Sequence, residues 1–323
     1  MDRPFGLTIR RVKIAIMNKV KKLDFSILIG RVSTEDSTRI IEALDALRAQ
    51  DGDCSYEVVI ADRLQDDITL LIKRDYPEVV LIDSVPEATL PAMRTQALGV
   101  ARGQWIIVTE DHCVPSENWL QQFRIALEAA PENVAAVGGC VENGVDDTAL
   151  DWATFLCEYS GSVAPVPEGI ADGVPGMNVA YRRQAFDGVD ESILEKGFWE
   201  TTLHPVFHGR DQQFFSSNDI VLNHCKKFSL GLFCRQRYVY SRYYAGIRFA
   251  RTDIARRGAA AVMSLALPPL LLWRMRGNVT RKNRLQPEFR QAFPYLFLFT
   301  LIWAVGEIVG YLGGPGKALA EIE

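Results

Sequence analysis

The sequence predicts an α/β fold: a mostly parallel sheet with helices on both faces, followed by an apolar, helical, membrane-associated C-terminal region. Three observations carry this. Short β-type apolar runs alternate with amphipathic helical patterns through the first half of the chain. The 323 residues are 48% hydrophobic, enough for a sizeable core in one large domain or two smaller ones. Beyond residue 258, two long apolar stretches flank a basic one.

The elements follow in order. FSILIG (25–30) reads as the first strand. Within 33–50, Ile40, Ile41, Leu44 and Leu47 form one helical face behind Ser and Asp residues of the capping type. EVVIA (57–61), VVLID (79–83) and WIIVT (105–109) are further strands, with a helix over 90–101 between the last two. An amphipathic helix is expected over 116–130 and a strand over 134–141, and the Gly- and Pro-rich stretch 160–178 reads as a loop. Right-handed crossovers place the loops after these strands along one carboxyl edge, where ligands bind.

The C-terminal quarter is different. Residues 259–273 are 15 apolar or small residues, with Pro268 and Pro269 among them. At ~1.5 Å per residue such a run reaches only ~22 Å, short of the ~30 Å hydrocarbon core. Residues 293–313, 21 in all, are long enough to span, but Glu307 sits inside them. The plain alternative is a pair of core helices in a soluble protein. The basic stretch 274–290 between the two favours a membrane surface, with one or both segments re-entrant or interfacial, because two full spans would put it opposite a cytosolic domain.

A formal charge of -4 excludes a general nucleic-acid binder. Positive charge is concentrated in 1–23 and in 274–290, as expected beside anionic lipid. The six cysteines form no C-x-x-C pair and read as reduced cytosolic thiols, and no secretory signal peptide is expected.

Neither a G-x-x-x-x-G-K-[ST] loop nor a G-x-G-x-x-G turn is present. Asp62 ends the second strand, where an acid can accept hydrogen bonds from a base or ribose or stay solvated in a loop. Glu110, Asp111 and His112 close the strand of 105–109 together. Carboxylates suit Mg2+, and imidazole is also tolerated by Mn2+. The bland alternative is an exposed polar turn before Pro115; a zinc site from His112, Cys113 and Cys140 lacks the usual close cysteine pair. Glu200, His204 and His208 recur every four residues, although Pro205 counts against a continuous helical face. His224 ends the strand-like DIVLNH, and Arg235, Arg237 and Arg242 follow, placed to clamp phosphate or to face lipid headgroups.

In this order and spacing, the motifs of residues 25–245 resemble a family 2 glycosyltransferase of the GT-A fold. The resemblance assigns Asp62 to the nucleobase. It matches MRTQALGVARGQ, with Arg94 and Gly103, to a donor-binding segment. It places Glu110, Asp111 and His112 at the Asp-x-Asp motif that holds metal and diphosphate, with both outer aspartates replaced. PGMNVAYRR matches the next segment through Gly176, Asn178, Ala180, Arg182 and Arg183. Of the downstream acids Asp190, Glu191, Glu195 and Glu200, the last is favoured as the general base for an inverting transfer. The late histidine His224 is placed near metal or diphosphate, and Arg237 falls in a distant relative of a Q-x-x-R-W segment.

The resulting expectation is a basic segment (1–23), a GT-A-like domain (24–245) and membrane-associated helices (246–323). The donor site is expected from Asp62, Arg94, Asp111, Asn178 and Arg237. The metal, Mg2+ or Mn2+, is expected on Glu110, Asp111, His112 and His224. Partners are a nucleotide-sugar donor, a lipid-linked or envelope-glycan acceptor and the cytoplasmic face of the membrane, with no nucleic acid. The competing functions are a nucleotidyltransferase of similar sheet architecture and an inactive scaffold.

Overall fold

The computed structural model describes residues 23–248 and 252–323, so the basic N-terminal segment lies outside the described residues except for Leu23. The chain opens with β1 (Phe25–Arg31), α1 (Arg39–Arg48), β2 (Tyr56–Asp62), α2 (Asp67–Asp75), β3 (Val80–Asp83), α3 (Leu90–Val100) and β4 (Trp105–Glu110). It continues with β5 (Cys113–Pro115), α4 (Trp119–Ala129), β6 (Val134–Asn143), α5 (Ala149–Tyr159), β7 (Gly169–Ala171), β8 (Val179–Arg182), α6 (Glu191–Gly197), α7 (Glu200–His208) and β9 (Gln213–His224). Four helices follow: α8 (Leu230–Arg248), α9 (Ile254–Met263), α10 (Leu267–Lys282) and α11 (Gln286–Gly313).

The strand order is β3-β2-β1-β4-β8-β6-β9-β5, with β7 also on β9. β1, β2, β3 and β4 are mutually parallel, whereas β8 enters antiparallel between β4 and β6. Every residue of β1 is buried, as a central strand covered on both faces requires. β1 has β2 on one side and β4 on the other, so the connections leaving its carboxyl end part there and open a crevice at the switch point.

The expected strands and helices of residues 25–141 are found within a few residues of their expected limits. Helix α5 appears where no element was expected, and the 160–178 loop contains the short β7. The segment 235–242, given no secondary structure from the sequence, is part of α8.

The apolar run 259–273 does not form one rod. A 3-10 turn at 264–266 separates α9 from α10, and Pro268 lies in the first turn of α10, where its missing N–H costs nothing. Helix α11 docks along its length on α5 and α8. Its buried face is Phe289, Ala292, Leu296, Phe299, Ala304 and Gly310. Gly306 and Gly310 let the backbones approach: a Cβ there would overlap Ser241 Oγ and the Arg242 carbonyl. Glu307 faces inward and accepts hydrogen bonds from Trp303 Nε1 at 2.9 Å and Tyr311 Oη at 3.1 Å. The opposite face stays open at Phe293, Phe297, Leu301 and Val305.

Candidate active site

A cavity of about 820 Å³ lies where the carboxyl edge of the sheet meets the C-terminal helices. Arg94, Glu110, Gly176, Glu200 and Arg237 line its inner part; Leu270, Leu271, Arg274 and Trp303 line its outer part.

The inner part is built around the break after β4. Asp111 and His112 interrupt the strand, and the chain resumes as β5, whose Cys113 is in register with His224 of β9. That pairing carries His224 to His112 across 112 residues of sequence: their Nε2 atoms are 3.1 Å apart. Glu110 Oε2 is 3.3 Å from His112 Nε2, and its other oxygen is 3.6 Å from Arg94. One ligand atom from each of Glu110, His112 and His224 falls within 4.8 Å of the others, the geometry of a metal site.

Asp111 stands behind this cluster, which corrects its expected place as a metal ligand. It accepts hydrogen bonds from the Val32 and Ser33 amides at 2.8 and 2.9 Å and from Ser33 Oγ at 2.6 Å. It also lies 2.8 Å from His112 Nδ1. A carboxylate on Nδ1 fixes the ring and leaves Nε2 to the cluster. Burial raises the Glu110 carboxyl, but His112 and Arg94 outweigh it and hold it down at about 2. Burial and then His112 push His224 down to about 3, so its imidazole is neutral. His112 is pushed down by burial but raised overall by Asp111 and Glu110.

Glu200 is the first residue of α7 and faces the cavity opposite Gly176, where any Cβ would overlap its carboxylate. The Gly of the PGMN segment is therefore what admits the acid of the next motif. Burial raises the Glu200 pKa from the usual carboxylate value. Arg94 braces the approach to Glu200 through the Phe198 carbonyl at 3.0 Å. Arg237 lies 3.4 Å from Glu158 and stacks over Trp303 at 4.0 Å. Arg94 Nε, Arg237 Nε and Trp199 Nε1 are buried donors without a partner, all on residues that line the cavity. Unmet donors of this kind suit an anionic ligand.

Two expected donor-site residues face elsewhere. Asp62 is 0% exposed. Its oxygens take Arg31 at 3.0 Å, Thr69 Oγ1 at 2.6 Å and the Leu64 amide at 2.8 Å. It anchors the end of β2 instead of opening toward a base. Asn178 is also 0% exposed. It bonds the Cys140 and Ile220 carbonyls and accepts from Trp119 Nε1 at 2.8 Å, tying β6, β9 and α4 together. Glu200, His204 and His208, whose four-residue spacing would allow a second metal site on one helical face, form none among the described residues: His204 packs on Phe214, 4.2 Å between ring centres, and His208 lies 3.0 Å from the Asp172 carbonyl. Arg235 pairs with Glu321 and Arg242 with the Gly314 carbonyl, both outside the cavity lining.

Some participants had no sequence signal. Lys226 is buried and donates to Ser33 Oγ at 3.0 Å, beside Asp111. Glu158 belongs to the unexpected α5. Residues 322–323 lie over the carboxyl edge: the Ile322 carbonyl accepts from Arg63 at 3.0 Å and Glu323 accepts from Thr34 Oγ1 at 2.8 Å.

Residues 34–190 match the family model "Glycosyl transferase family 2", which spans α1 to β8 and stops short of Glu200 and His224. Among solved structures, the chain is similar to the mannosyltransferase PcManGT from Pyrobaculum calidifontis in complex with GDP-Man and Mn2+. The identity is 16% and the TM-score 0.56, over 90% of this chain and 88% of that one. It is also similar to S. aureus TarS 1-349 in complex with UDP-GlcNAc, at 14% identity and a TM-score of 0.47, over 90% of this chain and 93% of that one. No curated protein matches the chain. The chain thus carries a family 2 glycosyltransferase domain on a GT-A fold and is a glycosyltransferase.

Proposed function

We propose that the chain transfers a sugar, with inversion, from a nucleotide-sugar donor to a hydroxyl of a lipid-borne acceptor at the cytoplasmic face of a membrane. One observation carries this reading: a single cavity joins Glu110 and Glu200 to Leu270, Leu271 and Trp303 of the apolar C-terminal helices. A wholly water-soluble acceptor needs no such wall. An acceptor with an apolar tail can rest that tail on α10 and α11 and present its head to the sheet edge. The free cysteines suit a reducing compartment.

Glu110, His112 and His224 are the residues that would hold a divalent cation. Two imidazoles with one carboxylate favour Mn2+ over Mg2+, which prefers an all-oxygen shell. When bound, the cation would supply positive charge against the diphosphate leaving group. Arg94 and Arg237 offer the unmet donors for its remaining oxygens. Glu200, as carboxylate, takes the proton of the acceptor hydroxyl while that oxygen attacks the anomeric carbon. Asp111 acts through His112, and Gly176 through the space it leaves for Glu200.

The product identifies the reaction. Incubating the chain in detergent with a panel of labelled nucleotide sugars, Mn2+ and a lipid extract is expected to release nucleoside diphosphate. Release of pyrophosphate in a parallel incubation with a nucleoside triphosphate and a sugar 1-phosphate would assign nucleotidyl transfer instead. His224→Ala is expected to raise the Mn2+ concentration for half-maximal activity by about 10–100-fold, the range for loss of ligand support; an unchanged requirement removes His224 from the site.

A further inference from the structure

A second groove, of about 690 Å³, runs between α10 and α11 away from the active site. We propose that it binds an anionic membrane lipid, with a phosphate head on Arg276 and Arg290 and an acyl chain along Trp273 and Phe293.

The basic stretch between the apolar segments divides by what each charge does. Arg284 pairs with Glu142 at 2.8 Å, Lys282 donates to the Val163 and Pro165 carbonyls, and Arg281 donates to Asn278. The first two pin the turn to the catalytic domain, while Arg281 is bound within its own helix. Arg274 lines the active-site cavity. Arg276 and Arg290 remain, from different helices, both lining the groove and with no hydrogen bond or ion pair among the described residues. Glu288, the nearby acid, does not line it.

The groove's walls are amphiphilic. Val279 and Phe289 form a buried floor, while Trp273, 73% exposed, and Phe293, 46% exposed, stand at the rim. The groove is held open by the turn between the helices, where Asn283 and Leu285 take left-handed φ values of 52° and 62°. Its volume lies within the ~300–1,000 Å³ typical of ligand pockets. The rim continues into the exposed residues Phe297, Leu301 and Val305 of α11. A guanidinium pair beside an aromatic-walled trough complements a phosphate joined to a hydrocarbon chain. The inference does not depend on which sugar is transferred.

The test is flotation of the full chain with phosphatidylcholine vesicles, with and without phosphatidylglycerol. R276Q/R290Q is expected to lose at least about tenfold of its affinity for the anionic vesicles, against about threefold or less for the equal charge loss R256Q/R281Q on α9 and α10, outside the groove lining. Binding to neutral vesicles stays unchanged in both, as do circular-dichroism melts. Brominated phosphatidylglycerol should quench fluorescence in the wild type and less so in W273F. Equal losses in the two double variants reduce the effect to diffuse surface charge and overturn the proposal. Displacement by inorganic phosphate alone also overturns it, since a free-anion site needs no chain.

A separate observation concerns residues 322–323. The crevice at the end of β1 is the ligand position expected at a sheet's switch point. Here the Glu323 carboxylate sits on Thr34 and 4.0 Å from Lys226, and the Ile322 carbonyl sits on Arg63, anchored by an Ile322 side chain buried with Trp199, Val239 and Tyr243. The structure assigns this tail the part of a built-in competitor for the donor nucleotide, an inference that rests on the transfer reading. Calorimetric titration of UDP and GDP with Mn2+ should show at least severalfold tighter binding of one of them by I322G/E323Q than by the wild type, because the apparent Kd is the intrinsic Kd divided by the open fraction. Equal or weaker binding overturns the competitor role alone. No binding by either protein overturns it together with the donor reading.

Discussion

At the residue scale, the proposed transfer turns on Glu200. Glu200→Gln keeps shape and removes the base, so kcat is expected to fall by about 10²–10⁴ in the transfer assay. Burial raises the folded-state pKa of Glu200, so the native protein holds that proton to a higher pH than the unfolded chain. Two signs follow. The active carboxylate is lost as pH falls through the raised value, giving an acid limb above the ordinary carboxylate range. The same group destabilises the fold as pH rises through the unfolded and then the folded pKa. E200Q should therefore melt at an equal or higher temperature at neutral pH while losing activity; a lower melting temperature and retained turnover would give Glu200 a structural role only. Glu110, His112, Glu200 and His224 were legible as residue types in family order. Asp62, Asp111 and Asn178 were legible as motif members, but a motif does not say which way a side chain turns. Asp62 turns to Arg31, Asp111 to the amides just after β1 and Asn178 to the sheet interior.

At the scale of elements, the alternation of apolar runs and amphipathic faces sufficed for β1 to β4 and for α1 and α3, but not for α2. It did not suffice for α8, whose buried face includes Gln236, Arg237 and Ser241 and so shows no apolar stripe. Nor did it show how α11 packs, because a helix apolar on every side has no periodic face to read. The glycines mark that face. Gly306→Ala, which presses a Cβ on Ser241 Oγ and the Tyr238 carbonyl, is expected to cost about 1–3 kcal/mol in thermal unfolding. Gly277→Ala on α10, with nothing within 4 Å, should be neutral or stabilising by up to about 1 kcal/mol. Equal effects of the two would mean that α11 is not seated on α8 as described.

At the scale of the molecule, one cavity joins the sheet edge to the apolar C-terminal helices, and the proposed membrane seat concerns how those helices lie. The stretches Ile254–Lys282 and Gln286–Gly313 are both long and apolar enough to cross a membrane. Yet α11 is docked on α5 and α8 along its length, and α8 carries Arg235, Arg237, Arg242 and Arg248. Driving α11 through a bilayer would draw those arginines toward hydrocarbon. An in-plane seat, with Phe293, Phe297, Leu301 and Val305 in one leaflet, keeps the docking intact and removes the charge-placement conflict of two full spans. Apolar length alone did not separate spanning from lying flat; the docking of α11 on α5 and α8 is what supports the in-plane proposal.

The most direct test of the shared cavity is transfer of label from a nucleotide sugar into a lipid extract, run with the wild type, E200Q and Trp303→Ala. The account predicts label in the lipid fraction for the wild type, none for E200Q, and for W303A a raised KM for the lipid acceptor with donor KM unchanged. Label confined to water-soluble products, or transfer by E200Q at the wild-type rate, would contradict it.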